Sequence, residues 1–353
     1  MDPQKHDYIE NKSFNLSNKT DVESQSLESN TQSKKSIHDK LIIQRHDFMA
    51  RNWSNFKQHF KYQIAIEFEL LKDYKNWLYI VIGLGIIYLH LASHNLAYYL
   101  AKPAPPLRDL LHDLVPQLST DSIFFAMNTY VLLFMFAILA MTGFSIMVIK
   151  YPPVLKRTLV GFINRYFMVI NITQLMRITT FLVTQIPAPS PDCQQPYFDP
   201  PKTFRDVFAR SAGSGDKGCG DLIFSSHIMF GLLIVLLHIK YLGLNKHERL
   251  ETDYDKMNLQ SLQAYNDNQS TISEQGAGDQ HIIVIISKRQ YIFRMSIIAL
   301  LIFCFVMDII FILASRKHYS VDIVLSLYIT YMVWHIMAKK FKDPKVPSHL
   351  VDK

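Results

Sequence analysis

A chain of 353 residues could form one or two water-soluble domains, but 49% hydrophobic and 12% aromatic residues against 19% charged ones point to a bilayer. The formal charge of +7 does not direct it to nucleic acid, because the basic residues border long apolar runs, where anionic lipid attracts them. Composition therefore argues against a soluble enzyme and against nucleic acid as a partner.

Residues 1–36 are rich in Ser, Asn, Asp and Lys and hold few apolar side chains, so they are expected to form a disordered cytosolic N-terminus without a cleavable signal peptide. From 37 to 75, Leu41, Ile42, Phe48, Met49, Phe56, Phe60, Ile64 and Phe68 recur at helical intervals among Lys, Arg and His. That pattern predicts amphipathic helix, lying on the membrane surface or packed against the rest of the chain. Residues 76–340 carry six apolar runs, at 77–98, 122–149, 160–184, 222–243, 291–314 and 319–338. A hydrocarbon core of roughly 30 Å takes about 20 helical residues, so each run is read as a transmembrane helix. The Asn- and Gln-rich stretch 245–281 is expected to be a mobile cytosolic loop, and 341–353 a cytosolic tail. The expected fold class is an all-α membrane protein with six transmembrane helices.

Lys and Arg set the orientation. Lys57, Lys61, Lys72 and Lys75 precede the first run, Lys150, Lys156 and Arg157 lie between the second and third, Lys246, Arg249, Lys288 and Arg289 between the fourth and fifth, and Lys339, Lys340, Lys342 and Lys345 follow the sixth, against Lys202, Arg205, Arg210 and Lys217 in the segment 185–221. The first four groups share one side, which puts both termini in the cytosol and the segments 99–121, 185–221 and 315–319 on the opposite face. Cys193 and Cys219 flank the second of those segments, where they are either two free thiols or a disulfide if the loop meets an oxidising lumen.

Two polar groups then fall at one depth. Cys219-Gly220-Asp221-Leu222-Ile223-Phe224-Ser225-Ser226-His227 opens the fourth run, and Arg316-Lys317-His318-Tyr319-Ser320-Val321-Asp322 joins the fifth to the sixth. Asp322 stands four residues after His318, so on a helix its carboxylate can accept the imidazole N–H, fix the tautomer and leave the other nitrogen to attack. His227 can exchange a proton with a leaving or attacking oxygen. Arg316, Lys317 and the first N–H groups of the fourth run offer positive potential for a phosphate. Arg177, a cation inside the third run, is expected to meet a phosphate or a carboxylate such as Asp221, whereas Arg165 is expected to snorkel and His238 and His335 to be interfacial. A lone histidine at a helix end is more often structural; the convergence of two such groups is what favours phosphoryl transfer. No His-Glu-x-x-His run or phosphate-binding glycine loop is present, so neither metal nor nucleotide cofactor is expected.

At these residues the chain resembles the sphingolipid synthases of the lipid phosphate phosphatase superfamily, a group that includes sphingomyelin synthases and inositol phosphorylceramide synthases. The resemblance runs from about Pro103 to Ala338, with weaker support at Pro105-Pro106-Leu107-Arg108-Asp109 and from Arg165 to Pro187. It implies a phosphatidic-acid-phosphatase-type catalytic core that moves a phosphoalcohol from a glycerophospholipid to the primary hydroxyl of ceramide, without metal, and releases diacylglycerol. By that likeness His318 attacks phosphorus, Asp322 orients it and His227 serves the leaving and attacking oxygens, while Asp221, Ser225, Arg177, Arg316 and Lys317 bind substrate. Where many members carry Ser-Gly-His, this chain has Ser225-Ser226-His227. Arg316-Lys317 ahead of His318 favours phosphoinositol as head group over phosphocholine or phosphoethanolamine. The implied partners are ceramide, a glycerophospholipid and the bilayer, with a homo-oligomer left open, and the implied home is the Golgi, with plasma membrane and endoplasmic reticulum as alternatives. Two rivals stand beside this reading: a lipid phosphate hydrolase, whose usual Lys-x6-Arg-Pro motif is missing, and a non-catalytic scaffold or lipid transporter.

Overall fold

A computed structural model of the chain describes residues 43–45, 53–102, 104–119, 126–148, 158–194, 197, 199–211, 219, 222–243, 248–250, 283–341 and 343–344. The expected disordered segment 1–36, nearly all of the loop 245–281, the tail beyond 344 and Asp221 lie outside the described residues. The chain divides into two compact units, one of residues 1–45 with 246–286, the other of 46–245 with 287–353.

In the first unit three short strands, β1 (Ile43–Arg45), β2 (Glu248–Leu250) and β3 (Ile283–Ile286), form a parallel sheet in the order β1-β3-β2. Ile43 stands opposite Ile283, and Glu248 opposite Val284. The helical expectation at 43–45 is thereby corrected. Ile43 and the β-branched run Ile283-Val284-Ile285-Ile286 suit a pleated surface, and pairing partners distant in sequence override a local 3.6-residue pattern.

The second unit is helical. Its described helices are α1 (Trp53–Lys72), α2 (Tyr74–Leu100), α3 (Leu110–Leu114), α4 (Met127–Val148), α5 (Leu159–Val183), α6 (Phe204–Ser211), α7 (Ser226–Leu242), α8 (Lys288–Ala314) and α9 (Ser320–Lys340). Five of them, α2, α4, α5, α8 and α9, are long and apolar enough to cross a membrane, which makes this a multi-pass membrane protein. The expected sixth run, at 222–243, forms the shorter apolar helix α7 of 17 residues, about 26 Å long at 1.5 Å per residue, so five of the six expected crossings meet the length of the long spans.

Helix starts follow side chains that accept the unpaired first N–H groups. Asp73 caps α2 through Lys75 N, Thr158 caps α5 through Gly161 N and Ser287 caps α8 through Gln290 N. Glu67, from the buried Gln63/Ile66/Glu67/Leu70 face of α1, adds a second cap to α5, accepting from Leu159 N at 2.7 Å and Val160 N at 2.8 Å. Helix α1 thus packs on the bundle through one face, while Phe68 and Leu71 remain exposed.

The short α7 is central. On one side Met229, Leu233, Leu237 and Tyr241 pack with Phe162, Val169 and Ile170 of α5 and with Val333 and Trp334 of α9. On the other, Ile228, Ile234 and Val235 pack with Met135 of α4, Leu301, Phe305 and Ile312 of α8, and Ile323 of α9. A Cβ on Gly231 would stand 2.7 Å from the Phe305 ring, so glycine there lets α8 approach closely. Ile228 shares a cluster with Ile323, and Tyr241 one with Trp334, so α7 and α9 run side by side from the same end. One end of the bundle therefore gathers the termini of α2, α5 and α8 and the starts of α4, α7 and α9.

Candidate active site

The turn between α8 and α9 is built by two capping devices. At the end of α8, Lys317 N donates to Ile312 O and Arg316 N to Leu313 O, with Arg316 at φ 56°. This is the left-handed C-terminal cap that glycine usually fills, and a side chain held there costs on the order of 1 kcal/mol. At the start of α9, Asp322 Oδ2 accepts the Tyr319 N–H at 2.9 Å. The same oxygen stands 3.4 Å from His318 Nδ1, a close contact longer than the usual hydrogen bond. Because His318 precedes α9, the pair meets through capping geometry and not across a helical turn, as the spacing alone suggested. Asp322 is fully buried and His318 is 7% exposed.

His227 occupies the second position of α7 and is half-buried. The segment before it is held from α5: Arg177 Nε donates to Phe224 O at 2.6 Å, and Thr180 Oγ1 to Ile223 O at 3.5 Å. Phe224 sits at φ 86° with its ring buried, a strained conformation that persists only where its surroundings fix it. Ser225 is the residue before α7; its Oγ is fully buried and accepts no capping bond from the helix. Leu222 and Tyr319 share one apolar cluster with Tyr98, Ala188, Cys193 and Cys219, which draws both histidine segments to the same end of the bundle. Cys193 and Cys219 are joined in a disulfide. Beside it lies a cavity of about 310 Å³ lined by Leu100, Lys102, Gln185, Pro187 and Gln194 among others.

The cations expected to bind substrate are placed differently from one another. Arg177 is 2% exposed, and besides Phe224 O it contacts the His90 ring, 2.8 Å from Nε2. Arg316 Nη2 donates to the carbonyls of His112 and Val115, and Lys317 Nζ donates to Asn128 Oδ1 at 2.9 Å. All three therefore tie protein segments together.

Several polar residues passed over by sequence reasoning gather at this end. Asp109 accepts from Leu111 N at 2.9 Å, His112 N at 3.3 Å, Ser320 N at 2.6 Å and Ser320 Oγ at 2.9 Å. His112 Nε2 lies 3.0 Å from His318 O, and its ring stacks on Tyr319. Burial works to raise the Asp109 carboxyl, yet the bonds from Ser320 and His112 outweigh it and hold the group below the usual carboxylate range. Burial pushes the His112 imidazole down, with Arg316 adding to it against the His318 carbonyl and Asp109. An aspartate just ahead of Leu110-Leu111 is an N-cap signal that the sequence does carry.

At the opposite end Arg165 is corrected from a snorkelling residue to a buried one: it is 1% exposed, pairs with Asp343 at 2.9 Å and lies 5.0 Å from the Phe341 ring centre. His238 is likewise buried, between Thr142 Oγ1 at 2.8 Å and Ile234 O at 2.7 Å, and not interfacial. His335 is exposed and stacks on Tyr331.

The family model for the PAP2 superfamily C-terminal region matches residues 281–339, a stretch that contains His318 and Asp322. Curated proteins similar to the chain include a phosphatidylinositol:ceramide inositolphosphotransferase of Oryza sativa subsp. indica, 27% identical over 308 residues that cover 85% of this chain and 76% of that protein. Phosphatidylinositol:ceramide inositolphosphotransferase 3 of Arabidopsis thaliana is 28% identical over 295 residues, 81% of this chain and 79% of its own. Phosphatidylinositol:ceramide inositolphosphotransferase 2 of the same plant is 26% identical over 312 residues, 85% and 81%.

Proposed function

We propose that this chain is a sphingolipid synthase of the lipid phosphate phosphatase superfamily, a reading supported by the family-model match and the plant relatives, and that it transfers phosphoinositol from phosphatidylinositol to the primary hydroxyl of ceramide and releases diacylglycerol. The observation that carries the reading is the buried His318–Asp322 contact at 3.4 Å, at the end of the bundle where α7 presents His227. Asp322 holds the Nδ1 side of the imidazole and leaves Nε2 to attack. Nε2 forms the bond to phosphorus, the bond from phosphorus to the diacylglycerol oxygen breaks, and His227 supplies that oxygen with a proton. His227 then takes the proton of the ceramide hydroxyl, whose oxygen displaces His318 and restores the enzyme. The first N–H groups of α7, with the buried Ser225 hydroxyl, stabilise the phosphoryl oxygens as charge builds.

The donor follows the relatives, each of which is named for phosphatidylinositol and ceramide. Lysine and arginine flank the end away from the histidines, so the reading places that end and both termini in the cytosol, and the histidines on the lumenal face of a Golgi membrane. The test is cell-free expression into liposomes with labelled ceramide and phosphatidylinositol, phosphatidylcholine or phosphatidylethanolamine offered singly. Labelled inositol phosphorylceramide should form with the first donor alone and vanish in His318→Ala. A folded, inserted protein that makes no product from any donor overturns the reading.

A further inference from the structure

We propose that residues 107–118 form a positioning strap around the nucleophile turn, with the Asp109 carboxylate as its clasp; the inference rests on His318 being the attacking residue. The turn 314–320 is short and carries a residue with positive φ, so little in its own sequence fixes where the His318 ring sits. The fixing comes from elsewhere in the chain. Leu118 N donates to Ala314 O at 2.8 Å, at the end of α8. Arg316 Nη2 reaches the carbonyls of His112 and Val115. His112 Nε2 meets the carbonyl of His318 itself at 3.0 Å. The Tyr319 hydroxyl accepts from Leu107 N and donates to Pro187 O, each at 2.8 Å. Asp109 closes the strap on Ser320. Contacts thus fall on five of the seven residues from Ala314 to Ser320, and they bracket His318 on both sides.

Asp109 is the residue on which the others depend. Its two oxygens accept four donors: Oδ1 takes Leu111 N and His112 N and so starts α3, while Oδ2 takes Ser320 N and Ser320 Oγ and so holds the first residue of α9. One carboxylate therefore orients His112, which holds the His318 carbonyl, and anchors the helix whose Asp322 faces the His318 ring. Asparagine cannot replace it, because an amide presents one acceptor oxygen and turns an N–H group toward two N–H donors. Asp109 touches neither the reacting atoms nor, on this reading, the head group. Loss of the clasp should slow the attack and leave substrate affinity alone, since displacement of a reacting group by about 1 Å costs up to about a hundredfold.

The experiment uses the full chain in liposomes of phosphatidylinositol with labelled ceramide, and compares wild type, Asp109→Asn, Ser320→Ala and His318→Ala, each corrected for the folded fraction by thermal melting. Asp109→Asn should lower kcat about tenfold to a hundredfold with KM for both lipids within about twofold of wild type. Without ceramide, the rate at which radiolabelled phosphatidylinositol gives an acid-labile adduct should fall in step, a readout that a loss of general stability does not move. Ser320→Ala removes one of the four bonds and should lower kcat about threefold; it decides the matter if Asp109→Asn fails to fold. Wild-type kcat in the folded variant, or a raised KM with kcat intact, overturns the strap. Activity surviving in His318→Ala overturns the parent reading instead, so the two failures are distinct.

Discussion

The two ends of the bundle are stapled by different chemistry. At the end away from the histidines, two cations share one carboxylate, with Arg165 buried against Asp343 and Lys240 reaching the same group, and the bonds with main chain there, from Leu159 N and Val160 N to Glu67 and from Arg165 to Phe341 O, close helix ends. At the histidine end, side chains hold backbone: Arg177 on Phe224 O, Arg316 on His112 O and Val115 O, Asp109 on Ser320 N, Tyr319 on Pro187 O. An ion pair joins two side chains that retain rotamer freedom, whereas a bond to a carbonyl fixes a stretch of main chain and every side chain on it. The first arrangement secures a bundle and the second places a reacting atom.

If that contrast is right, the largest effect belongs to the histidine end and falls on activity. His318→Ala and Asp322→Ala should each lower product formation by about a thousandfold or more, with little change in melting for His318→Ala and a loss of about 1 kcal/mol for Asp322→Ala, which also removes the cap on Tyr319 N, measured by lipid product on thin layers and by thermal unfolding in detergent. Next comes Cys193→Ser with Cys219→Ser. The bridge spans 26 residues, so its loss should lower stability by about 3 kcal/mol in chain-entropy terms, and should loosen Cys219, Leu222 and Tyr319 together because they share a cluster. At the other end Asp343→Asn leaves Arg165 buried against a neutral partner. Stability should fall by about 2 kcal/mol, less than a fully buried pair would lose because Asp343 is a quarter exposed, while turnover per folded molecule stays at wild type. Equal activity losses from Asp343→Asn and His318→Ala would break the comparison.

Acid should separate the ends as well. The Asp109 carboxyl is held below its unfolded value of about 4, so its contribution is complete above that pH and is lost as pH falls through the folded value. His112 is also depressed, so its contribution is present above about 6.5 and is lost as protonation takes its place below that, with Arg316 opposing the new charge and Asp109 and Asp113 favouring it. Both signs agree. Hydrogen exchange corrected for intrinsic rate should show protection at 109–118 and 316–320 falling between pH 6.5 and 4, and returning on neutralisation. Unchanged protection over that range would remove His112 as a titrating group of the strap, and Asp109 answers only below about pH 4.

The apolar periodicity announced most of the helical bundle because every crossing helix must bury or expose a whole surface of like character. It overstated α7, where the run from Leu222 includes four residues that leave the helix to form the strained turn at Phe224. The histidine end was legible in its polar residue types, and His318, Asp322 and His227 lie at helix starts on one end of the bundle. The partners of the cations were not legible. Nothing in the sequence distinguishes a guanidinium that waits for a phosphate from one that meets a carbonyl, and Arg177, Arg316 and Arg165 all found protein partners on segments remote in the chain. Likewise Asp109 shows only its local role as a helix cap, since its bonds to Ser320 span 211 positions.

The smallest expected effect on stability is also the most discriminating. Arg316→Gly removes a side chain from a left-handed cap, which should gain about 1 kcal/mol, and forfeits two guanidinium bonds to carbonyls on a half-buried surface, which should cost a similar amount. Melting should therefore barely move. Turnover should still fall several-fold, because Val115 and His112 are no longer tied to the turn that carries His318. Arg316→Lys keeps the charge and the strained φ but cannot fork across two carbonyls, so it should lower both melting and turnover. If instead Arg316→Gly raises KM for phosphatidylinositol while kcat holds, and Lys restores it, then the guanidinium serves the head group as a charge. In that case the histidine end, like the other, is fastened in part by ionic attraction.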